Sequence, residues 1–153
     1  MRVLAIGLLA FSLQSCLNLK EYGQKILQES MNRKYLQAHN DIRDKSGMLP
    51  LVWDSKLELS AHRKASEYKE SCRLGNLPVL GFNSYQGWGK NIETPKAIVN
   101  RWHDGDGSQS FRISSKYTSA VGCSYVVCDD HTHSSSIIHV CDYEIVPLWE
   151  RFK

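Results

Sequence analysis

Cysteine usage is the feature that most constrains this chain. Its 153 residues include five cysteines, and residues 3–13 form an apolar run behind Met1-Arg2 with the length of a secretory signal core. We therefore predict a signal peptide over residues 1–16, with its end between 12 and 19, and a secreted, extracellular protein. Thiols pair in an oxidising compartment, so the four cysteines after Cys16 are expected to form two disulfides. Their spacing alone leaves all three pairings open.

Two alternatives accompany this prediction. Residues 13–16 loosely resemble the lipid-attachment signal of a bacterial lipoprotein, although Gln14 is unusual there, and we favour secretion without an anchor. The Cys123–Cys128 spacing is the nearest approach to a paired zinc-ligand motif, and we favour disulfides over zinc. No stretch reaches the roughly 20 apolar residues that a membrane span needs.

Composition describes one soluble domain, which we place at residues 25–153. Hydrophobic residues make up 42% of the chain, enough for a single core. The 19 Lys and Arg residues nearly balance 16 Asp and Glu, and they are scattered in ones and twos. A nucleic-acid groove or a polybasic membrane patch is therefore unsupported.

The order of predicted elements is helices first and a hairpin last. Apolar spacing predicts a helix over 28–44, and a capping box at Ser55–Glu58 predicts a second helix that ends near Cys72. Thr94-Pro95 predicts the start of a third helix. Alternating residues around 121–125 and 137–142 predict an antiparallel hairpin, whereas 75–89 and 105–115 are expected to be loops. This order is typical of an α+β fold with helices packed on an antiparallel sheet.

Several short motifs now coincide. They are Tyr35-Leu36-Gln37-Ala38-His39-Asn40, Pro50-Leu51-Val52-Trp53-Asp54, Gly89-Lys90-Asn91-Ile92, Val121-Gly122-Cys123 and Val140-Cys141-Asp142-Tyr143. In this order they resemble the CAP superfamily of cysteine-rich secretory proteins, venom allergens and plant pathogenesis-related proteins, over about residues 28–146. The resemblance implies a secreted three-layer α-β-α sandwich with a central antiparallel sheet.

The resemblance also implies a disulfide pairing, Cys72–Cys128 and Cys123–Cys141. The second pair would join the two strands of the predicted hairpin, which is independently reasonable. The first closes a loop of more than fifty residues, for which the chain-entropy estimate is on the order of 4 kcal/mol.

The residues expected in a family metal site are changed. Many members hold two His and two Glu in a central cleft that binds a divalent cation. The corresponding positions here are Asn76, Lys90 and Gly105, and no histidine lies between His103 and His131 to supply the last ligand. We therefore predict no cofactor and no metal in this cleft. The segment where the family's sterol-binding loop would start is also altered.

Other chemistry is sparse. No nucleophile–base pattern is present, so we predict that the protein is not an enzyme. His131 and His133, with His139 on the returning strand, form an alternative metal site, although a solvated turn is the favoured interpretation.

Three aromatic residues remain as a candidate ligand or partner loop: Phe82, Tyr85 and Trp88. The favoured function is a secreted CAP-type binding protein that recognises an unidentified protein or lipid. The alternatives are a metal-binding variant that uses the hairpin histidines and a sterol or fatty-acid carrier.

Overall fold

The computed structural model describes residues 3–69, 71–74, 81–89, 93–105, 107–129 and 135–146, with the backbone alone for 3–18, 20 and 129. The chain divides into two compact units, Met1–Met31 and Asn32–Lys153. Helix α1 runs from Val3 to Lys45. Of the helices in the described ranges, none has the length and apolar character needed to cross a membrane.

A four-stranded sheet forms the centre of the second unit. The strands are β1 (Val52–Trp53), β2 (Phe82–Trp88), β3 (Thr118–Asp129) and β4 (Ser135–Ile145), in the order β1-β3-β4-β2. β4 pairs antiparallel with β3 and β2, and the short β1 pairs parallel with β3. The predicted terminal hairpin is therefore confirmed.

One face of the sheet is covered by α2 (Ser55–Glu67). Ala61 and Ala65 of this helix are fully buried in a cluster with Val126, Ile138 and Val140. These strand residues alternate with those on the opposite face, as the twofold repeat of a strand requires.

The opposite face carries α1 around Tyr35 and His39, with α4 (Ser108–Ser114) against β2 and α3 (Pro95–Asp104) bonded to β2 through Trp102. Trp102 of α3 donates from Nε1 to the Ser84 carbonyl at 3.0 Å, and Arg112 of α4 donates to the Asn83 side chain at 3.1 Å. The predicted α+β architecture with helices on both sides of the sheet is confirmed.

The predicted ends of α3 are confirmed, whereas the predicted start of α2 is wrong in its capping residue. Thr94 caps α3, Pro95 is in its first turn and Gly105 ends it, as predicted. The capping box at Ser55 is wrong, because the Asp54 carboxylate accepts from the amides of Lys56 and Leu57 at 2.6 and 3.0 Å. A carboxylate one residue earlier competes successfully for the same donors.

Two predicted loops contain regular structure. Residues 82–88 form β2 and residues 108–114 form α4. β2 lacks an apolar–polar alternation because its buried polar side chains are hydrogen-bonded, as for Asn83, which is fully buried and donates to the Tyr143 hydroxyl at 3.0 Å. Helix α2 also ends at Glu67, and Cys72 lies beyond it in a left-handed conformation (φ 49°).

Candidate functional site

A buried polar network joins α1 to the middle of β4. The Tyr35 hydroxyl of α1 shares a hydrogen bond with Nδ1 of His139 on β4. One helical turn later, Nε2 of His39 lies 2.9 Å from the Tyr143 hydroxyl on β4. Each element thus contributes one tyrosine and one histidine, four positions apart. We call Tyr35, His39, His139 and Tyr143 the tyrosine–histidine pairs.

The hydrogen-bond partners fix the proton position on His39. Nδ1 lies 2.8 Å from the Tyr35 carbonyl oxygen, which can only accept, so Nδ1 carries the proton. Nε2 of the neutral ring then accepts from the Tyr143 hydroxyl, whose oxygen accepts from Asn83. Burial lowers the pKa of His39 to about 4, with the nearby Arg43 guanidinium as a further cause. His39 is therefore a neutral structural residue at physiological pH.

His139 occupies an aromatic environment. It is 1% exposed, and its ring centroid lies 5.9–6.3 Å from those of Tyr35, Tyr85 and Tyr125. Burial lowers its pKa to about 4, although the Glu93 carboxylate opposes the shift. Its Nδ1 shares a hydrogen bond with the Tyr35 hydroxyl.

The hairpin metal site is therefore not assembled around His139 by the described residues. His131 and His133 lie outside them. Within the described ranges, no group of three or more His, Cys, Asp or Glu side chains is arranged to hold a metal ion.

The positions of the family cleft are only partly described. Asn76 and Lys90 lie outside the described residues. Gly105 is the C-cap of α3 and donates its amide to the Arg101 carbonyl at 3.1 Å. Near this end of α3, the Ser84 carbonyl of β2 accepts from Trp102 and, at 3.5 Å, from Gln109. Indole and amide groups thus contact this part of β2.

The three aromatic candidates do not share one surface. Phe82 is buried on the α2 side, where the Lys64 ammonium lies 5.0 Å from its ring centroid. Tyr85 points to the opposite face and donates to Glu93 at 2.7 Å. Trp88, at the end of β2, is 54% exposed. Residues 82–88 are a strand rather than a loop, and Tyr85 faces away from Phe82 because odd and even strand positions face opposite sides. A binding role for these aromatic residues stays a prediction.

The cysteines divide into two pairs of different state. Cys123 and Cys141 are directly opposite on β3 and β4 and are joined by a disulfide. Cys72 and Cys128 are present as thiols in the same buried cluster beneath α2. Their sulfurs face carbonyls of adjacent residues, Lys69 at 3.4 Å and Tyr68 at 3.9 Å. The disulfide that the resemblance implies for this pair is thus not formed in the structure.

Sequence reasoning missed the role of Arg43. This side chain is 1% exposed and donates to four backbone carbonyls, those of Leu49, Ile113, Ser115 and Thr118, at 2.7–3.2 Å. Burial lowers the pKa of Arg43. The only sequence signal was its place on the apolar side of α1, one position after Ile42.

Comparison with known proteins identifies the family. The Cysteine-rich secretory protein family (CAP) matches residues 36–143. This chain belongs to the CAP family. Pathogenesis-related protein 1A of Nicotiana tabacum is 27% identical over 132 residues, covering 76% of each chain. Pathogenesis-related protein PR-1 of Medicago truncatula is 29% identical over 131 residues, covering 75% of this chain and 73% of the relative.

Solved CAP-fold structures agree with the architecture. MpPR-1i is 21% identical with a TM-score of 0.60, covering 76% of this chain and 90% of its own. Hookworm Platelet Inhibitor is 17% identical with a TM-score of 0.57, covering 77% and 70%. At these identities the likeness shows the fold, and the tyrosine–histidine pairs described above belong to this chain's own geometry.

Proposed function

We propose that this protein is a secreted CAP-family recognition protein, and that Trp88 anchors a protein partner. In this proposal residues 1–16 are removed as a signal peptide and residues 25–153 form the mature domain. The observation that carries it is the exposure of Trp88. More than half of this indole meets solvent, whereas Phe82 and Tyr85 on the same strand are engaged in packing and hydrogen bonding. Tryptophan is enriched among the residues that dominate binding energy at interfaces.

Recognition rather than catalysis is supported by the state of the buried histidines. His39 and His139 are fully buried, bonded to tyrosines and held neutral, so a substrate in solvent does not reach either imidazole. His62 is bonded to Ser124 at 3.1 Å, but this serine is 3% exposed and out of reach of a substrate. One protein with the same fold, Hookworm Platelet Inhibitor, is named for action on a target rather than for a reaction.

Trp88→Ala has a matched control in Phe111→Ala, because both aromatic side chains are 54% exposed and lie on different elements. Secreted protein is incubated with extracellular extract from its source, cross-linked, and the partner identified by mass spectrometry. The identified partner is then titrated against each purified variant. We expect Trp88→Ala to weaken binding at least tenfold and Phe111→Ala to leave it unchanged. If wild type and Trp88→Ala bind the partner with equal affinity, Trp88 is not the anchor. N-terminal sequencing of the secreted form separately tests the signal peptide.

In this proposal the central cleft binds no divalent metal ion. Asn76 and Gly105 offer no anionic or imidazole ligand, and the Lys90 ammonium repels a cation. Calorimetry with Zn²⁺ should show no micromolar site. Binding that survives combined His131→Ala and His133→Ala would contradict this part, whereas binding abolished by that pair would support the hairpin alternative.

The proposal also includes a Cys72–Cys128 disulfide in the secreted protein. Both thiols lie in one buried cluster, and secretion exposes the folding chain to an oxidising compartment. Peptide mapping without reduction should recover a linked peptide that contains both cysteines. A peptide that joins Cys72 to Cys123 or Cys141 would contradict the pairing.

A groove between α1 and the start of α3 favours a fatty acid as the second candidate ligand. Ala38 and Pro95 supply apolar lining, and the ammonium groups of Lys34 and Lys96 can attract a carboxylate. Asp41 competes for Lys96, at 3.9 Å. If the protein carries fatty acids, labelled palmitate should bind to wild type, and this binding should be lost in Lys34→Glu. Undetectable binding to wild type would exclude this candidate and leave the Trp88 proposal intact.

A further inference from the structure

The tyrosine–histidine pairs are arranged so that protonation affects one end of α1. Tyr35 and His39 hold the N-terminal part of this helix segment to β4 through imidazoles. The C-terminal part is held differently, since Asn40 exchanges two hydrogen bonds with the Leu51 backbone, at 2.7 and 3.1 Å, and Arg43 donates to backbone carbonyls. Amide and guanidinium contacts do not titrate in the acid range. We propose that the tyrosine–histidine pairs form an acid-sensitive latch that releases residues 32–39 of α1 from the sheet.

Among the residues that the structure describes, the surroundings of His39 give its charged form no counterion. On its own helix Arg43 disfavours a second positive charge. On β4 its partner is the neutral Tyr143 hydroxyl, and burial raises the pKa of Tyr143 far above its usual range. Beyond Tyr143, Asn83 is bonded to Arg112 of α4, a second cation, and Asp142 is paired with Lys64 on the α2 side of the sheet. A proton on His39 would therefore be buried without compensation.

The surroundings of His139 differ in one respect. The groups that face it from α1, β2 and β3 are the phenol rings of Tyr35, Tyr85 and Tyr125. The carboxylate that acts on His139 is that of Glu93, which already accepts from Tyr85 and from Arg101, each at 2.7 Å. This carboxylate opposes the lowering of the His139 pKa, whereas Arg43 adds to the lowering of the His39 pKa. Other charged groups face the segment from two further helices. Glu58 of α2 accepts from Asn32 at 2.9 Å, and Lys96 of α3 lines the same groove as Lys34 and Ala38.

The consequence is a local opening that acid promotes. Each histidine is neutral in the closed state and free to bind a proton once the segment lifts, so opening takes up protons. The opening would uncover the aromatic face formed by Tyr85 and Tyr125, while Asn40 and Arg43 keep the rest of α1 in place. The inference does not depend on Trp88, which lies at the end of β2.

Hydrogen exchange of the full secreted protein tests the latch. Exchange of peptides covering 32–39 and 95–104 is followed between pH 7 and 5 and corrected for intrinsic rates. The opening constant of the first peptide should rise by up to about tenfold per pH unit for each histidine that titrates. The α3 peptide should not follow. His139→Gln should reduce the change of this opening constant with pH. The control His62→Gln on α2 should leave that change as it is in wild type.

The contrary results are equally defined. The latch would be overturned if the opening constant of the 32–39 peptide did not change with pH in wild type. It would also be overturned if the α3 peptide showed the same pH dependence, or if His139→Gln left that dependence unchanged. Should His139→Gln fail to fold, the wild-type imidazole is titrated by NMR instead. A His139 resonance unchanged from pH 7 to 5 in the closed state would support the proposal. A midpoint near the ordinary histidine value of about 6.5 would overturn it.

Discussion

Replacing Gly122 with alanine should destabilise the domain severely, because the start of α2 rests directly on this glycine of β3. A Cβ at this position would lie 2.1 Å from the Glu58 nitrogen, 2.5 Å from the Leu57 carbonyl carbon and 2.6 Å from the Asp54 oxygen. All three atoms are backbone, so no side-chain rotation can make room. Non-bonded carbon atoms prefer about 3.5–4.0 Å, and the first turn of α2 must therefore move by roughly 1 Å.

The magnitude follows from what that movement disturbs. Overpacking a well-packed site costs about 1–3 kcal/mol, occasionally more. The shift also strains the hydrogen bond from the Asp54 amide to the Val121 carbonyl, now 3.0 Å long, for which a typical net contribution is about 1 kcal/mol. We expect a loss of about 3 kcal/mol in the free energy of unfolding, a large part of the 5–15 kcal/mol that a domain has.

Urea unfolding monitored by circular dichroism, with the Cys123–Cys141 disulfide intact, measures the loss. Gly87→Ala is the matched control, because the nearest atom to its Cβ would be Tyr85 Cε1 at 3.4 Å, an ordinary contact. Its free energy of unfolding should stay within about 0.5 kcal/mol of wild type. If Gly122→Ala behaves like Gly87→Ala, the close approach of α2 to β3 is not as described, and the reason given for this glycine fails.

Three further predictions concern stability. Arg43→Met should lower the free energy of unfolding by about 3 kcal/mol or more, since four buried carbonyls lose their donor; a change below 1 kcal/mol in urea unfolding would contradict it. Asp54→Ala should cost about 1 kcal/mol and Ser55→Ala almost nothing, and the reverse order would return the cap to Ser55. The lowered pKa values of His39 and His139, about 4 each, mean that the unfolded chain binds more protons, so stability should fall as pH drops from about 6.5 to 4, by up to about 3 kcal/mol per histidine; denaturation midpoints that stay constant over this range would refute it.

Local chemistry made α3 and the hairpin predictable. Thr94 and Pro95 specify a helix start through their own side chains, and Gly105 specifies its end. The β3 and β4 strands alternate because one face packs on α2 and the other on α1, so their repeat is visible without knowing the partners. In each case the residues that decide the structure are close together in the chain.

β2 and α4 could not be predicted because their determinants are distant. Asn83 and Gln86 are polar in the middle of a strand, and each is satisfied by groups that only the fold brings near. Asn83 donates to Tyr143, and Gln86 donates to Ser136 at 3.1 Å. α4 has seven residues and no side-chain cap, so no local signal distinguishes it from a polar loop.

The tyrosine–histidine pairs have a spacing that is visible in the sequence, but their pairing is visible only in the structure. The spacing of four is present in both elements, at Tyr35 and His39 and again at His139 and Tyr143. A helix advances about 6 Å over four residues and a strand about 13 Å, so the two pairs of backbone positions cannot match. The side chains make up the difference between the two backbone spacings, because each pair joins a long tyrosine to a shorter histidine. The tyrosine belongs to the helix in the Tyr35–His139 pair and to the strand in the His39–Tyr143 pair. The sequence places His139 on the returning strand and offers it only as a candidate metal ligand, because its partner Tyr35 is 104 residues away. Once Tyr35 is placed above it, the same imidazole becomes the residue through which acid can act on α1.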